Sequence, residues 1–330
     1  MSRNYYLPIY LKNYNIYDIF YNNINQLVII SPMEKSPLTI SLCYNDTIFP
    51  FVLKTCPHNH TYVYHCKIDK FEPTVQLIIN DDLIDTKVNK YLNLSNEIIM
   101  STIVKNEDKY IKQWINYHFA LGITRFIIYD NSDSNTLQDT LRDFLETNVV
   151  LLIRWNYPYR LERSGISGQT TQQNHSLYAF RNSKYICLFD IDEYINPQTD
   201  CFKIDDCLNV IANDNNLDIN KLGAFKILNK FFYNPDHMPT DGYNFLKIFN
   251  CDELTMNRHE KNIIIPQNVK MVSVHVITIG KPAFTTSDKY VYFNHYYFLN
   301  KEKRGQKISK IIDKSITNVL HKIKIDFYPI

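Results

Sequence analysis

The chain has 330 residues, 45% apolar and 21% charged, which suffices for one large domain or two ordinary ones and is the wrong balance for disorder. A formal charge of +2 provides no global field to draw nucleic acid, so nucleic acid is not an expected partner. The seven cysteines show no C-x-x-C spacing, which argues against a zinc ribbon or redox dithiol. No apolar run nears the roughly 20 residues of a membrane span and no secretory leader is present, so a soluble cytoplasmic protein with reduced thiols is expected.

Residues 1–97 consist of short β-like runs separated by turn residues: "NQLVIISP", "LTISLCYND", "TYVYHCKID" and "TVQLIINDD". Their spacing predicts a small antiparallel, sandwich-like domain. His58, His60 and His65 lie here beside Cys56 and Cys66, but their spacing matches no standard zinc pattern, and they are read as hairpin histidines.

The pattern changes near Leu94. "NEIIMSTIVKNE" is a strand that ends in polar residues. "DKYIKQWINYHFALG" is an amphipathic helix, with Tyr110, Ile111, Trp114, Ile115 and His118 at helical spacing and Gly122 as its stop. Glu107 and Asp108 open it, at the positive end of its dipole. Then follow the strand "TRFIIYD", the helix "TLQDTLRDFLE", the strand "VVLLIRW", the helix "TTQQNHSLYAFRNS" and the strand "KYICLFDID".

Runs that are apolar throughout suit parallel strands covered on both faces, so residues 98–330 are expected to form an α/β domain. Parallel strands bring their C-terminal ends to one edge, where open α/β sheets bind ligands. Those ends carry Lys105, Asn106, Glu107, Asp130, Asn131, Asp190 and Asp192.

On an extended strand Asp190 and Asp192 point to one side, while Ile191 and Glu193 point to the other. Two neighbouring carboxylates raise each other's pKa unless a cation neutralises them, and a hard divalent cation suits oxygen ligands. Glu193 is therefore assigned a bracing hydrogen bond or salt bridge. Near the C-terminus, a helix from about Gln306 to Lys322 carries Ile308, Ile311, Ile312, Ile316, Val319 and Leu320 on one face and lysines on the other. Its basic face offers a peripheral membrane contact, and packing on the core is the alternative.

Three blocks carry a resemblance: "STIVKNEDKYIKQWINYHFALGITRFIIYDNSDSN", "QTTQQNHSLYAFRNSKYICLFDIDEYI" and "FNHYYFLNKEKRGQKISK". Over roughly residues 98–315 the chain resembles glycosyltransferase family 92, also known as domain of unknown function 23, within the glycosyltransferase 2-like superfamily. The resemblance implies a GT-A fold, a Rossmann-like and mostly parallel sheet flanked by helices, preceded by a small β-rich domain. It also implies a UDP-sugar donor, a glycan or glycoconjugate acceptor and a Mn²⁺ or Mg²⁺ cofactor.

By position, the resemblance places Thr102, Lys105, Asn106 and Glu107 in the nucleoside pocket and Asp130 near the base or ribose. Gln169 and Gln173 would border the donor pocket. Asp190, Ile191 and Asp192 form the D-x-D, with Asp192 on the metal and Asp190 on metal or ribose. A C-terminal histidine completes the metal set, with His295 in "FNHYYF" preferred to His275 in "VSVHVITIG". Lys301, Lys303, Arg304 and Lys307 could assist the leaving diphosphate.

An inverting reaction needs a carboxylate base. Asp236, Asp241, Asp252 and Glu253 are candidates, and Asp236 is favoured because the strand "GAFKILNKFF" presents its loop on the acceptor side. Two other readings stand beside this one. A nucleotidyltransferase would carry a Gly-rich phosphate loop, which "STIVKNE" lacks. A non-catalytic carbohydrate-binding protein would have lost the acids that are retained here.

Overall fold

The computed structural model describes residues 4–22, 24–56, 60–68, 70–160, 167–254, 259–299 and 311–324. The four apolar runs expected as strands, Ile98–Val104, Arg125–Asp130, Val150–Arg154 and Tyr185–Leu188, lie parallel within an eight-stranded mixed sheet. Their spatial order is third, second, first, fourth. Apart from Ser101 and Thr102 and the charged ends Arg125, Asp130 and Arg154, they are apolar because both faces are covered. Met100, Phe126, Ile128 and Leu152 enter one core cluster, while Ile99, Ile127, Leu151 and Ile153 enter another.

The strand order reverses between Ile98–Val104 and Tyr185–Leu188, and such a switch point opens a crevice beyond the strand C-termini. Past Tyr185–Leu188 the sheet continues through antiparallel pairings with Lys261–Ile264 and then Ala224–Ile227, which in turn pairs parallel with Ala283–Thr285. At the other edge Tyr5–Tyr6 pairs with Val150–Arg154, so the chain's first strand joins the large sheet.

A second, five-stranded sheet orders Glu193–Pro197, Val291–Tyr296, Asn229–Phe232, Asn250–Cys251 and Ile311–Ile312. The run "GAFKILNKFF" is thus two strands in two sheets, broken at Leu228, whose carbonyl accepts the Phe293 amide.

The N-terminal region forms two antiparallel-rich sheets. One contains Asp18–Asn22, Gln26–Pro32, Thr61–Lys67, Val52–Lys54 and Asn89–Lys90; the other contains Thr47–Pro50, Ile40–Tyr44, Thr74–Ile79 and Asp82–Lys87. They share a core of Ile19, Ile29, Leu42, Tyr64 and Leu77. The opposite face of the first sheet presents Phe20, Val28, Ile30 and Val63 to the large sheet's own cluster.

Helix Ser167–Ala179 lies between these two bodies, in contact with Gln26–Pro32 on one side and Ile98–Val104 on the other. Every residue from Thr170 to Ser176 is polar and buried. Several of their groups are matched across the joint. Thr171 meets Thr61, Gln172 donates to the Ser101 hydroxyl, and Asn174 both donates to the Val272 carbonyl and accepts from its amide. His175 lies between Tyr129 and Asp18, at 2.7 and 2.9 Å.

Helix Asp108–Ala120 buries the five residues expected of it, and Gly122 follows at φ 95°. "TLQDTLRDFLE" splits at Leu141 into Thr136–Thr140 and Arg142–Glu146. The long C-terminal helix is not observed. Ile311–Ile312 is a strand, and the helix is Ile316–Ile323, because the Asp313 carboxylate accepts from the Ser315 amide and holds the chain extended before it. Ile316, Val319 and Leu320 are buried in the core, so the apolar face of this helix packs on the domain, and Ile308 lies outside the described residues. No described helix is long and apolar enough to cross a membrane. All seven cysteines are free thiols.

Candidate functional site

Strand Tyr185–Leu188 ends before the acids, and Phe189 to Asp192 form a turn rather than an extended segment. The Glu193 amide donates to the Asp190 carbonyl at 3.1 Å, and the Asp190 amide donates back to the Glu193 carboxylate at 2.8 Å. Strand alternation therefore does not govern these side chains. Glu193, expected to point away from the two aspartates, turns into their cluster. Its own strand, Glu193–Pro197, then pairs antiparallel with Val291–Tyr296, with Glu193 directly opposite His295. Opposed residues share a face, so sheet register alone brings a side chain from more than 100 positions away to the acids.

The cluster's charges are arranged in two halves. Lys261 begins strand Lys261–Ile264 with its side chain 1% exposed. Its ammonium lies 2.6 Å from Asp190 Oδ2 and 3.2 Å from Glu193 Oε2. Asp190 Oδ1 accepts from Gln169 Nε2 at 3.1 Å. On the other side, His295 Nε2 lies 3.3 Å from Asp192 Oδ2, and its Nδ1 lies 3.6 Å from Glu193 Oε1.

Burial pushes the Glu193 carboxyl up to about 7, against the pull of Lys261. Burial also works against ionised Asp192 and protonated His295, but their mutual attraction and hydrogen bond, with help from Lys261 for Asp192 and from Glu193 for His295, together outweigh it. Asp192 consequently sits below its ordinary range and His295 above. For Lys261, desolvation is overcome by Asp190 and Glu193, which raise it.

These groups line a cleft of about 620 Å³ at the switch point, a volume typical of ligand sites. Of the residues expected there, Lys105, Glu107, Gln169, Asp190, Ile191, Asp192 and His295 line it, and His275 does as well. Asn106 lines an adjoining cleft of about 550 Å³, and Glu107 borders both.

Three expected donor residues do not reach the cleft. Thr102 lies within its strand with its side chain buried, and Gln173 is buried in the interfacial helix. Asp130 is 3% exposed, with Oδ2 held 2.6 Å from Arg154 and Oδ1 accepting the Ser132 amide, so it fixes the loop after its strand. Its neighbour Asn131 lines the cleft instead.

His275 occupies the turn between Val269–Ser273 and Val276–Gly280 rather than a strand. Its Nδ1 lies 2.9 Å from the Glu260 carbonyl, and burial lowers it to about 4. Among the described residues the metal-capable group contains His295 and not His275.

Asp236 is exposed on the loop beyond Asn229–Phe232 and lines neither cleft, because the Asn234 side chain closes that loop onto Met238. Asp241 lines the adjoining cleft, 3.3 Å from Lys109. Asp252 accepts from the Tyr233 hydroxyl at 2.6 Å, and Glu253 is exposed. Lys301, Lys303, Arg304, Lys307 and His58 lie outside the described residues, and the described His60 and His65 join no metal-capable group.

Sequence reasoning missed Lys261, Tyr159, Arg160 and His259, all of which line the cleft. One signal was available for Lys261: a lone charge opening the apolar run "KNIII".

A divalent cation fits the donor set. One ligand atom each from Asp192, Glu193 and His295 lies within 4.8 Å of the others. Glu193 Oε1 and His295 Nδ1 are buried without a hydrogen-bond partner. Two carboxylates and an imidazole suit Mn²⁺ or a similar ion.

Comparisons with known proteins bear on this arrangement. Residues 98–326 match the family model of glycosyltransferase family 92. Glycosyltransferase family 92 protein At1g27200 of Arabidopsis thaliana is 26% identical over 123 residues, 37% of this chain and 20% of that protein. Family 92 protein RCOM_0530710 of Ricinus communis is 29% identical over 99 residues, 30% of this chain and 16% of that protein. The chain spans only part of the length of these curated relatives, 20% of the first and, in the longer of two alignments, 31% of the second. Among solved structures, Staphylococcus aureus TarS 1-349 in complex with UDP aligns at 11% identity with a TM-score of 0.35, over 60% of each chain. That superposition is too loose to carry an argument.

Proposed function

Because this chain belongs to glycosyltransferase family 92, we propose that it transfers a sugar from a nucleotide-sugar donor, preferentially a UDP-sugar, to a hydroxyl of a glycan or glycoconjugate. The fold assignment within this reading is a GT-A-type domain, and the reaction inverts the anomeric centre. The observation that carries the reading is the group of half-buried Asp192 with buried Glu193 and His295, at the switch point of a largely parallel sheet. It stands in a cleft large enough for a ligand.

Asp192 and His295 would hold Mn²⁺ or Mg²⁺, with Glu193 beside them. When bound, the cation supplies Lewis-acid stabilisation to the leaving diphosphate. The chain's own residues do the rest. Lys105 and Arg160 line the cleft and provide further positive charge toward a diphosphate, and Gln169 orients Asp190. The adjoining cleft, lined by Asn106, Tyr110, Asn234 and Thr240, provides hydrogen-bonding groups for a polyhydroxylated acceptor. Glu107 borders both clefts and Asp241 lines the second, so these two replace Asp236 as carboxylates placed to take the acceptor proton.

The test is UDP release from a panel of sugar nucleotides, with and without Mn²⁺, in the presence of hydroxyl acceptors. Metal-stimulated release with at least one donor is expected. No release or transfer with any donor, together with no metal-dependent UDP binding, overturns the proposal.

A further inference from the structure

Lys261 is the one strong cation among the described residues whose charge is buried inside the acid cluster, and its position follows from sheet register. Asn262 lies opposite Leu188, so Lys261 falls beside the residues that leave that strand for the turn. Its ammonium contacts Asp190 Oδ2 and Glu193 Oε2. With Gln169 on Oδ1, both oxygens of Asp190 have a donor. A lysine buried this deeply is tolerated only with close partners, and removing either side leaves an uncompensated charge.

The other half of the cluster is less fully matched. His295 Nε2 meets Asp192 Oδ2 at 3.3 Å, while Glu193 Oε1 and His295 Nδ1, 3.6 Å apart, are buried with no hydrogen-bond partner; one ligand atom from each of the three residues lies within 4.8 Å of the others.

We propose that Lys261 is a positioning residue that holds Asp190 and one oxygen of Glu193 away from the cation, so that cation binding falls to Asp192, the other Glu193 oxygen and His295. This deepens the reading above and rests on its cation-dependent donor site. The division differs from what the D-x-D spacing alone suggests, in which the two aspartates share the ion. Here the first aspartate already has a covalently tethered counter-ion, and the residue after the second aspartate takes its place.

The experiment measures Mn²⁺ binding to the full chain in the presence of UDP, by the loss of the free-ion electron paramagnetic resonance signal. Glu193→Gln is expected to weaken Mn²⁺ by about tenfold or more, whereas Asp190→Asn stays within about threefold of wild type. In a Lys261→Met background Asp190 is released to the ion. Adding Asp190→Asn there is expected to cost about tenfold, a coupling that a purely structural lysine would not produce.

If Asp190→Asn abolishes binding in the wild-type background while Glu193→Gln leaves it intact, the proposal is overturned. It is equally overturned if Asp190→Asn has the same effect with and without Lys261. Where Lys261→Met does not fold by circular dichroism, the Glu193→Gln and Asp190→Asn pair decides alone. A wild-type chain that binds no Mn²⁺ refutes the assignment of the ion, and sugar-nucleotide turnover in EDTA would then show that the transferase reading survives without it.

Discussion

Removing the Asp18 carboxylate should destabilise the whole chain far more than a surface charge would. Asp18 is fully buried, and five groups converge on it. Oδ1 accepts from the Ile9 and Ile19 amides at 2.7 and 2.8 Å and from Asn89 Nδ2 at 3.0 Å. Oδ2 takes the Tyr91 hydroxyl at 2.5 Å and meets His175 Nε2 at 2.9 Å. An imidazole that donates from Nε2 to Asp18 and accepts at Nδ1 from Tyr129 satisfies both contacts.

Asp18→Ala strands these donors in a dry interior. At about 1 kcal/mol each after relaxation, the loss is about 4–5 kcal/mol. That is a large share of the ~5–15 kcal/mol that separates folded from unfolded domains. Asp18→Asn keeps the three Oδ1 contacts. Its amide can donate toward Tyr91 or toward an imidazole of the other tautomer, so about 1–2 kcal/mol is expected. Urea unfolding followed by tryptophan fluorescence and by far-ultraviolet circular dichroism measures both variants. The reasoning fails if Asp18→Ala lies within about 1 kcal/mol of wild type, or if alanine and asparagine cost the same.

Other expectations concern the clefts and the second sheet. Glu107→Gln should lower kcat by about a hundredfold or more if this carboxylate takes the acceptor proton, while Asp236→Asn should stay within about threefold; rates under saturating donor check both. Gln169→Ala should raise the donor KM with little change in Tm, because it frees one oxygen of Asp190; an unchanged KM counts against the cleft as the donor site.

Acid stability provides a separate check. Burial opposes ionisation of Asp313, but Lys230 at 2.6 Å and the Tyr292 hydroxyl more than offset it and hold the carboxyl at about 2, below its ordinary value. The unfolded chain therefore binds this proton first as pH falls. The stabilisation is complete above about pH 4 and disappears as pH drops through 2. The Tm gap between wild type and Asp313→Asn should close over that interval, and a gap that widens there contradicts the pairing.

What the sequence disclosed, and what it concealed, follows from the range of each interaction. The four parallel strands were legible because burial on both faces leaves few polar positions, and Ile127, Ile128 and Leu151 carry that signal within a few residues. The helix of Tyr110, Trp114 and His118 was legible from spacing alone. The cleft was partly legible, since Lys105, Asp190 and Asp192 end strands that face one edge.

Glu193 was misplaced because alternation applies to extended chain, and a turn begins at Phe189. Lys261 was hard to place because its partners, Asp190 and Glu193, come from the turn after a neighbouring strand about 70 residues earlier. Asp130 and Thr102 were assigned by position in a motif, and position does not report whether a side chain faces the cleft or the packed interior. Helix Ser167–Ala179, polar throughout from Thr170 to Ser176, was expected as a helix, but no local pattern announces that it is buried between two sheets.

The register pair of Glu193 and His295 has a bearing on how the site comes into being during synthesis. Its two strands, Glu193–Pro197 and Val291–Tyr296, enclose nearly 100 residues of chain that must first be arranged around Asn229–Phe232. Contacts of that separation form late, after shorter loops have closed. A nascent chain that has reached only Asp192 holds its acids without the imidazole and without Lys261. It therefore has neither the ligand set nor the counter-charge. Competence at this site arrives with strand Val291–Tyr296, so an ion that binds there would also clamp the C-terminal third of the molecule onto the rest.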